Sequence, residues 1–277
     1  MRRTLIMLGV LALIMAVTLP VAAWLGQGQF ARSQAEALRA LRTAAAAPGS
    51  APASPASGGL PPAVERYLEH LTVAPPPRGG LVRLELAGRI RVTPQAGWDP
   101  YRAEQWVSLR PAGMLWAGRI DYAPWTPLLV LQSWQGVRAR VVSSLWGSLS
   151  LFRRRGEEVL RAAMLRWLGE AVWYPAALLP GGGLRWEPPG PAVETTQARA
   201  VLSRGGREVA GSFVFASGSG LPQEFVSEPQ PEGGRWFALY RDWRRMGGRM
   251  LPCRVVEGMV RGGRRRPRLE IHLIRRD

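Results

Sequence analysis

No lysine occurs in the 277 residues, and all 37 basic side chains are arginine. That absence removes whole classes of chemistry. A P-loop lysine, a Schiff-base lysine and the phosphate-gripping lysine of a kinase all need an ε-amino group. Cysteine is nearly as scarce: Cys253 stands alone, so no internal disulfide staples the fold. The two histidines, His70 and His272, are too few for a histidine-rich metal site. The sequence also contains no GxSxG, HExxH, CxxC or GxGxxG arrangement. A Ser-His relay therefore has little support, and no metal or cofactor is expected.

The formal net charge of +17 points first to nucleic acid. Replacement of every lysine by arginine, beside abundant Ala, Gly and Pro, fits GC-rich coding better than selection for phosphate contacts. Nucleic acid is accordingly not expected as a partner. An apolar content of 47%, with twelve Trp, permits a sizeable core built on large, stiff rings.

Three regions divide the chain. Met1-Arg2-Arg3 precedes an uncharged run whose apolar heart is residues 4–25, about the length that crosses a bilayer as a helix. Residues 1–29 are thus expected to be a single-pass membrane anchor, with a cleaved signal peptide as the alternative. The domain that follows is expected to be extracytoplasmic. Residues 30–59 combine a helix-forming stalk, SQAEALRALRTAAAA, with the linker PGSAPASPASGG, which has no capacity for a core. Residues 60–277 are expected to fold as one α+β domain.

Within that domain the stretch from Gly156 to Pro180 is the long helical pattern. Leu160, Ala163, Met164, Trp167, Leu168, Ala171 and Tyr174 share one arc at 100° per residue. From Met164 onward only Arg166 and Glu170 interrupt the apolar surface. A helix that loses its wet face partway along is being enclosed. A shorter helix, AVERYLEHL, places Val64, Tyr67, Leu68 and Leu71 on one face. About a dozen period-2 stretches surround the long helix, from LVRLELAGRIRV to Arg268–Ile274, with Gly-Gly turns between several of them. Short turns between strands mean antiparallel neighbours. The expected fold is α+β: a large curved antiparallel sheet wrapped around one central helix.

Three groups of residues are candidates for chemistry. Arg166 and Glu170 are four apart and adjacent on the helix. They read either as a partly buried ion pair or as the polar floor of a cavity. On the strand WDPYRAEQWVSLRP, Glu104 shares a face with Arg102 and Trp106. Paired with Glu170 it would form the two carboxylates of a hydrolase. The third group is the segment from Arg241 to Asp277, where twelve arginines meet only four carboxylates. Its cluster Arg264-Arg265-Arg266 reads as a solvated turn.

At these residues the chain resembles a bacterial membrane-anchored family of unknown function. The carriers of the resemblance are LPPAVERYLEH, WDPYRAEQW, RWLGEAVWYPAALLPGGGLRWEP and ALYRDWRRMGGRMLP. They contain an AEQ signature and an E-[AL]-x-W-[FY]-P-x-A-L-L signature. The resemblance places Glu104, Gln105, Glu170, Trp173, Pro175 and Asp242 at motif positions. The basic end, RGGRRRPRLEIHLIRRD, departs from the family, which continues into an aromatic-rich strand. No activity comes with the family. The helix-in-sheet layout is also similar to the half-barrels of periplasmic lipoprotein carriers.

These observations lead to an expected lipid or other apolar ligand held in a sheet-helix cavity. Glu104, Gln105, Arg166, Glu170 and Trp173 would line or brace it. A carboxylate-dependent hydrolase and an envelope interaction domain are the alternatives.

Overall fold

The computed structural model describes residues 2–47, 60–71, 80–187 and 196–277. The described residues form thirteen strands: β1 (Leu81–Ile90), β2 (Asp99–Ser108), β3 (Gly113–Ala123), β4 (Thr126–Gln135), β5 (Arg138–Leu145), β6 (Leu149–Arg155), β7 (Leu184–Glu187), β8 (Gln197–Arg204), β9 (Arg207–Phe215), β10 (Pro222–Ser227), β11 (Arg235–Met246), β12 (Arg249–Arg261) and β13 (Arg264–Arg276). They form one sheet in the order β6-β5-β4-β3-β2-β1-β13-β12-β11-β10-β9-β8-β7. The sheet is not closed, and every neighbouring pair is antiparallel. The hairpin turns show why. Gly247-Gly248 joins β11 to β12 with φ of 53° and 80°, and Gly262-Gly263 joins β12 to β13 with 56° and 72°. Two successive positive φ values match the twist of the strands they connect, and glycine adopts them without a Cβ clash.

The helices are α1 (Arg2–Ala46), α2 (Pro62–His70) and α3 (Glu157–Gly169). On α2, Val64, Tyr67 and Leu68 are buried, as is Leu71 just beyond it. Pro62 opens it where a missing N–H costs nothing. α3 lies on the sheet face formed by Leu84 and Leu86 of β1 and by Gln105 and Val107 of β2. It packs against strands from both ends of the order, β3 to β6 and β9 to β11. Trp167 is 1% exposed and Leu168 not at all. Each such side chain contributes roughly 1.5–3 kcal/mol by leaving water.

The helical stretch read through to Pro180 is shorter than its pattern. α3 stops at Gly169, and two 3₁₀ turns follow, Glu170–Trp173 and Pro175–Leu178. Carbonyls at the end of an α-helix need donors, and here tyrosines supply them. The Tyr174 hydroxyl donates to the Trp167 carbonyl at 2.6 Å and the Tyr240 hydroxyl to the Gly169 carbonyl at 2.6 Å. Gly169 itself is pressed against Trp236. A Cβ there would lie 2.3 Å from the ring.

The opposite face of the sheet carries α1. Ala37 and Leu41 are buried against Trp106, Leu115, Ala117 and Leu131. The segment read as a stalk thus lies on the sheet, while the linker at 48–59 falls outside the described residues. The expected single-pass anchor at the cell membrane is corrected. Among the described residues no helix is long and apolar enough to cross a membrane. The outer end of the apolar run is instead engaged with protein. The Ser148 hydroxyl donates to the Ala22 carbonyl, and Gly26 meets the backbone of Gly147 and Ser148. A second correction concerns Arg264-Arg265-Arg266, which opens β13; the turn lies just before it, at Gly262-Gly263. Arg265 pairs with Glu224 at 2.5 Å.

Candidate functional site

Alternation along β2 sends Gln105 to the face that meets α3. Arg166 comes from the last turn of α3 and Glu170 from the 3₁₀ turn after it. The three side chains converge. Arg166 Nε donates to Glu170 Oε1 at 2.8 Å, and Gln105 Nε2 donates to Glu170 Oε2 at 2.5 Å. Arg166 Nη1 reaches Gln132 Oε1 at 3.2 Å and Nη2 reaches Gln105 Oε1 at 3.4 Å. The guanidinium lies over the Trp116 ring, 5.2 Å from its centroid, so its flat face is also occupied. The Glu170 side chain is completely buried.

A fourth member, Glu257 of β12, was not singled out from the sequence. It is 3% exposed and hydrogen-bonds Glu170. Burial pushes its carboxyl well above the usual carboxylate range. The neighbouring Glu170 pushes it further, and Arg166 only partly opposes this. A carboxyl raised in this way keeps its proton further up the pH scale than a free one, which lessens the need for a second cation beside Arg166. Burial alone would lower the Arg166 guanidinium, but the carboxyls beside it hold it above its ordinary value. Among the described residues the Glu257 Oε1, the Tyr101 hydroxyl and the Trp116 indole N–H have no hydrogen-bond partner. The available signal was parity: Val255 and Glu257 share the inward face of β12, where Glu257 is the lone acid.

A neutral acid beside a hydrogen-bonded carboxylate has the makings of general acid–base chemistry. Access is what it lacks, since Glu170 and Glu257 are both buried and no cavity described below reaches either. Among the described residues no group of His, Cys, Asp and Glu is arranged to hold a metal. The cluster acts as a charge-balanced clamp joining α3 to β2, β4 and β12.

The other predicted residues lie elsewhere. Glu104 points to the α1 face, where it pairs with Arg83 and accepts from Gln34 Nε2 at 3.3 Å. Glu104 and Glu170 are therefore on opposite sides of the sheet and form no hydrolase dyad. Trp173 is buried beyond the cluster. Its indole N–H donates to the Pro252 carbonyl at 2.8 Å, and Arg276 Nε donates to the Trp173 carbonyl at 2.6 Å. Pro175 opens the second 3₁₀ turn, and Asp242 takes a left-handed φ of 53° in β11.

Open space is found on the other face. Cavities of about 580, 520, 730 and 180 Å³ each have α1 as a wall. The first lies between Ala37, Ala40 and Leu41 of α1 and the β4–β5 hairpin. The second joins Phe30 to Ala87, Glu104 and Ala117. The third runs from Ala23 to the β3–β4 tip, where Trp125 is exposed. The last lies under Ser33, against Leu131 and Val142.

Comparison with solved structures finds distant similarity over most of the chain. A LolA superfamily protein from Nitrosomonas europaea aligns with 11% identity and a TM-score of 0.40, covering 78% of this chain and 91% of that one. A DUF1329 family protein from Desulfovibrio piger aligns with 9% identity and a TM-score of 0.43, covering 79% and 93%. A putative outer membrane lipoprotein-sorting protein domain from Vibrio parahaemolyticus gives 9% identity and a TM-score of 0.34, covering 72% and 85%. No curated protein matches the chain significantly. The family model described as "Family of unknown function (DUF6544)" matches residues 51–261, and with most of its length inside that match the chain belongs to this family.

Proposed function

We propose that the protein binds an apolar or amphipathic ligand without chemically changing it, and that the ligand lies between α1 and the sheet. The observation that carries this is the distribution of space. The face that meets α3 is filled by Trp134, Trp167, Trp173 and Tyr174, whereas the four cavities all follow α1. Concave, mostly apolar space with a few polar groups is the usual form of a small-ligand site. In this reading the sheet curves around α3 and gives a rigid wall. α1, held by a small cluster of apolar side chains, is the movable cover. Gln105, Arg166, Glu170 and Trp173 brace the wall from behind, and Glu104 lines the second cavity directly.

Delipidated protein titrated with a fluorescent fatty acid tests the proposal. Saturable uptake is expected, and Ala40→Trp, which fills the 580 Å³ space under α1 from an exposed position, is expected to abolish it while leaving the melting curve intact. Absence of uptake by the wild type, or uptake unchanged in Ala40→Trp, would defeat it.

A further inference from the structure

The cavity beneath α1 is unusual in its charge. On the outer face of β5 and β6 stand Arg138, Arg140, Arg153 and Arg155. The β5–β6 register sets Arg140 directly opposite Arg155, and Arg153 opposite Val142. Like charges directly opposed across two strands destabilise a sheet. Several arginines elsewhere on this sheet have carboxylate partners, Arg83 with Glu104, Arg199 with Glu228 and Arg254 with Glu270, although opposed arginines also occur at Arg102 and Arg119 and at Arg261 and Arg264. Among the described residues, none of the four has an ion-pair partner. Arg140 Nε is satisfied only by the Ser133 hydroxyl, at 3.1 Å. Glu36 lies on the neighbouring stretch of α1 but is exposed and pairs with none of them.

Two of the cavities meet at this pair. Arg140 and Arg155 line both the 580 Å³ space and the 180 Å³ space. Neither space has an acidic residue in its wall. The smaller one adds Ser144, Ser148 and Ser150, and its apolar side is Phe30, Leu131 and Val142. Guanidinium forks and hydroxyls match an oxyanion, which they bind through short, charge-assisted, often bidentate bonds. The adjoining carbon surface matches an alkyl chain.

We infer that this is the head-group site of the ligand: a single-chain anionic amphiphile whose carboxylate or phosphate monoester sits between Arg140 and Arg155, with its chain running under α1. The assignment rests on the proposed function for the chain-binding part and adds the charge of the head. An oxyanion there relieves the opposed arginines, so the site is built to be more stable when occupied.

Isothermal titration of the delipidated full-length protein with dodecanoate, dodecyl phosphate and dodecanol tests it. Both anions are expected to bind at least about ten-fold more tightly than the alcohol, with an affinity that falls as salt rises. Arg140→Gln with Arg155→Gln is expected to bring the anions down to the level of dodecanol and leave dodecanol unchanged. Because the change removes repulsion, the ligand-free double variant should melt at or above the wild-type temperature, which separates a lost site from a lost fold. A preference for dodecyl phosphate would identify a phospholipid-type head, and one for dodecanoate a fatty acid. Equal binding of the anions and the alcohol, or no loss in the double variant, overturns the head-group site and leaves apolar binding standing. Binding of none of the three overturns both.

Discussion

Replacing Glu257 by Gln offers the sharpest test of the buried cluster. The Glu257 carboxyl is held well above its ordinary range by burial and by Glu170. Between the ordinary carboxylate pKa and that raised value, the folded protein keeps a proton that the unfolded chain has released. Stability must therefore fall as pH rises through this window, because the unfolded state binds fewer protons than the native one. One group contributes at most about 1.4 kcal/mol per pH unit inside that window, so a comparison of pH 5.5 with pH 7.5 reads a loss of stability from Glu257. Gln is nearly isosteric and cannot ionise, and its amide can donate to Glu170 as the neutral carboxyl does. Urea unfolding of both proteins at the two pH values gives the comparison, since every other titrating group is common to them and cancels. Glu257→Gln should lose this part of the pH dependence and gain on the wild type as pH rises. Parallel pH dependences would refute the argument and mean that Glu257 is ionised in the fold.

Arg166→Met removes the cation bonded to Glu170 and should cost about 3–5 kcal/mol in the same urea assay, as breaking a buried pair does. Tyr240→Phe deprives the Gly169 carbonyl of its 2.6 Å donor; a loss of about 1–3 kcal/mol is expected, read as a lower thermal midpoint. Gly169→Ala drives a methyl into the Trp236 ring and should cost about 1–3 kcal/mol, with Trp236→Leu restoring part of it in the double variant.

Much of this architecture could be read from side-chain periodicity because burial writes it there. The arc from Leu160 to Tyr174 is buried throughout, and the alternation along β2 puts Glu104 and Trp106 on one face as read, the face that carries α1. β6 escaped notice for the same reason in reverse. All seven of its residues are exposed, so no alternation between buried and exposed positions marks it as a strand. The α3 boundary escaped because tyrosines at positions 174 and 240 close the helix, and the second of them is distant in the chain. The Arg166–Glu170 contact was local and legible. Its partners Gln105, Gln132 and Glu257 arrive from three strands, and only the order of the sheet brings them together. The apolar run at residues 4–25 misled because its length matches a bilayer span, whereas no helix among the described residues is long and apolar enough to cross one.

The pairing of β1 with β13 has a consequence for how the molecule comes to be made. Leu84 meets Arg276 and Ile90 meets Leu269, so the thirteenth strand to be synthesised sits at the midline and joins two ribbons that would otherwise each present a bare margin. Until that seam is sewn, a nascent chain exposes two adhesive borders at once, the situation in which unfinished proteins stick to one another. A ribosome stalled before residue 264 would leave both borders open, and a nonsense change just ahead of β13 should be as damaging as one far upstream.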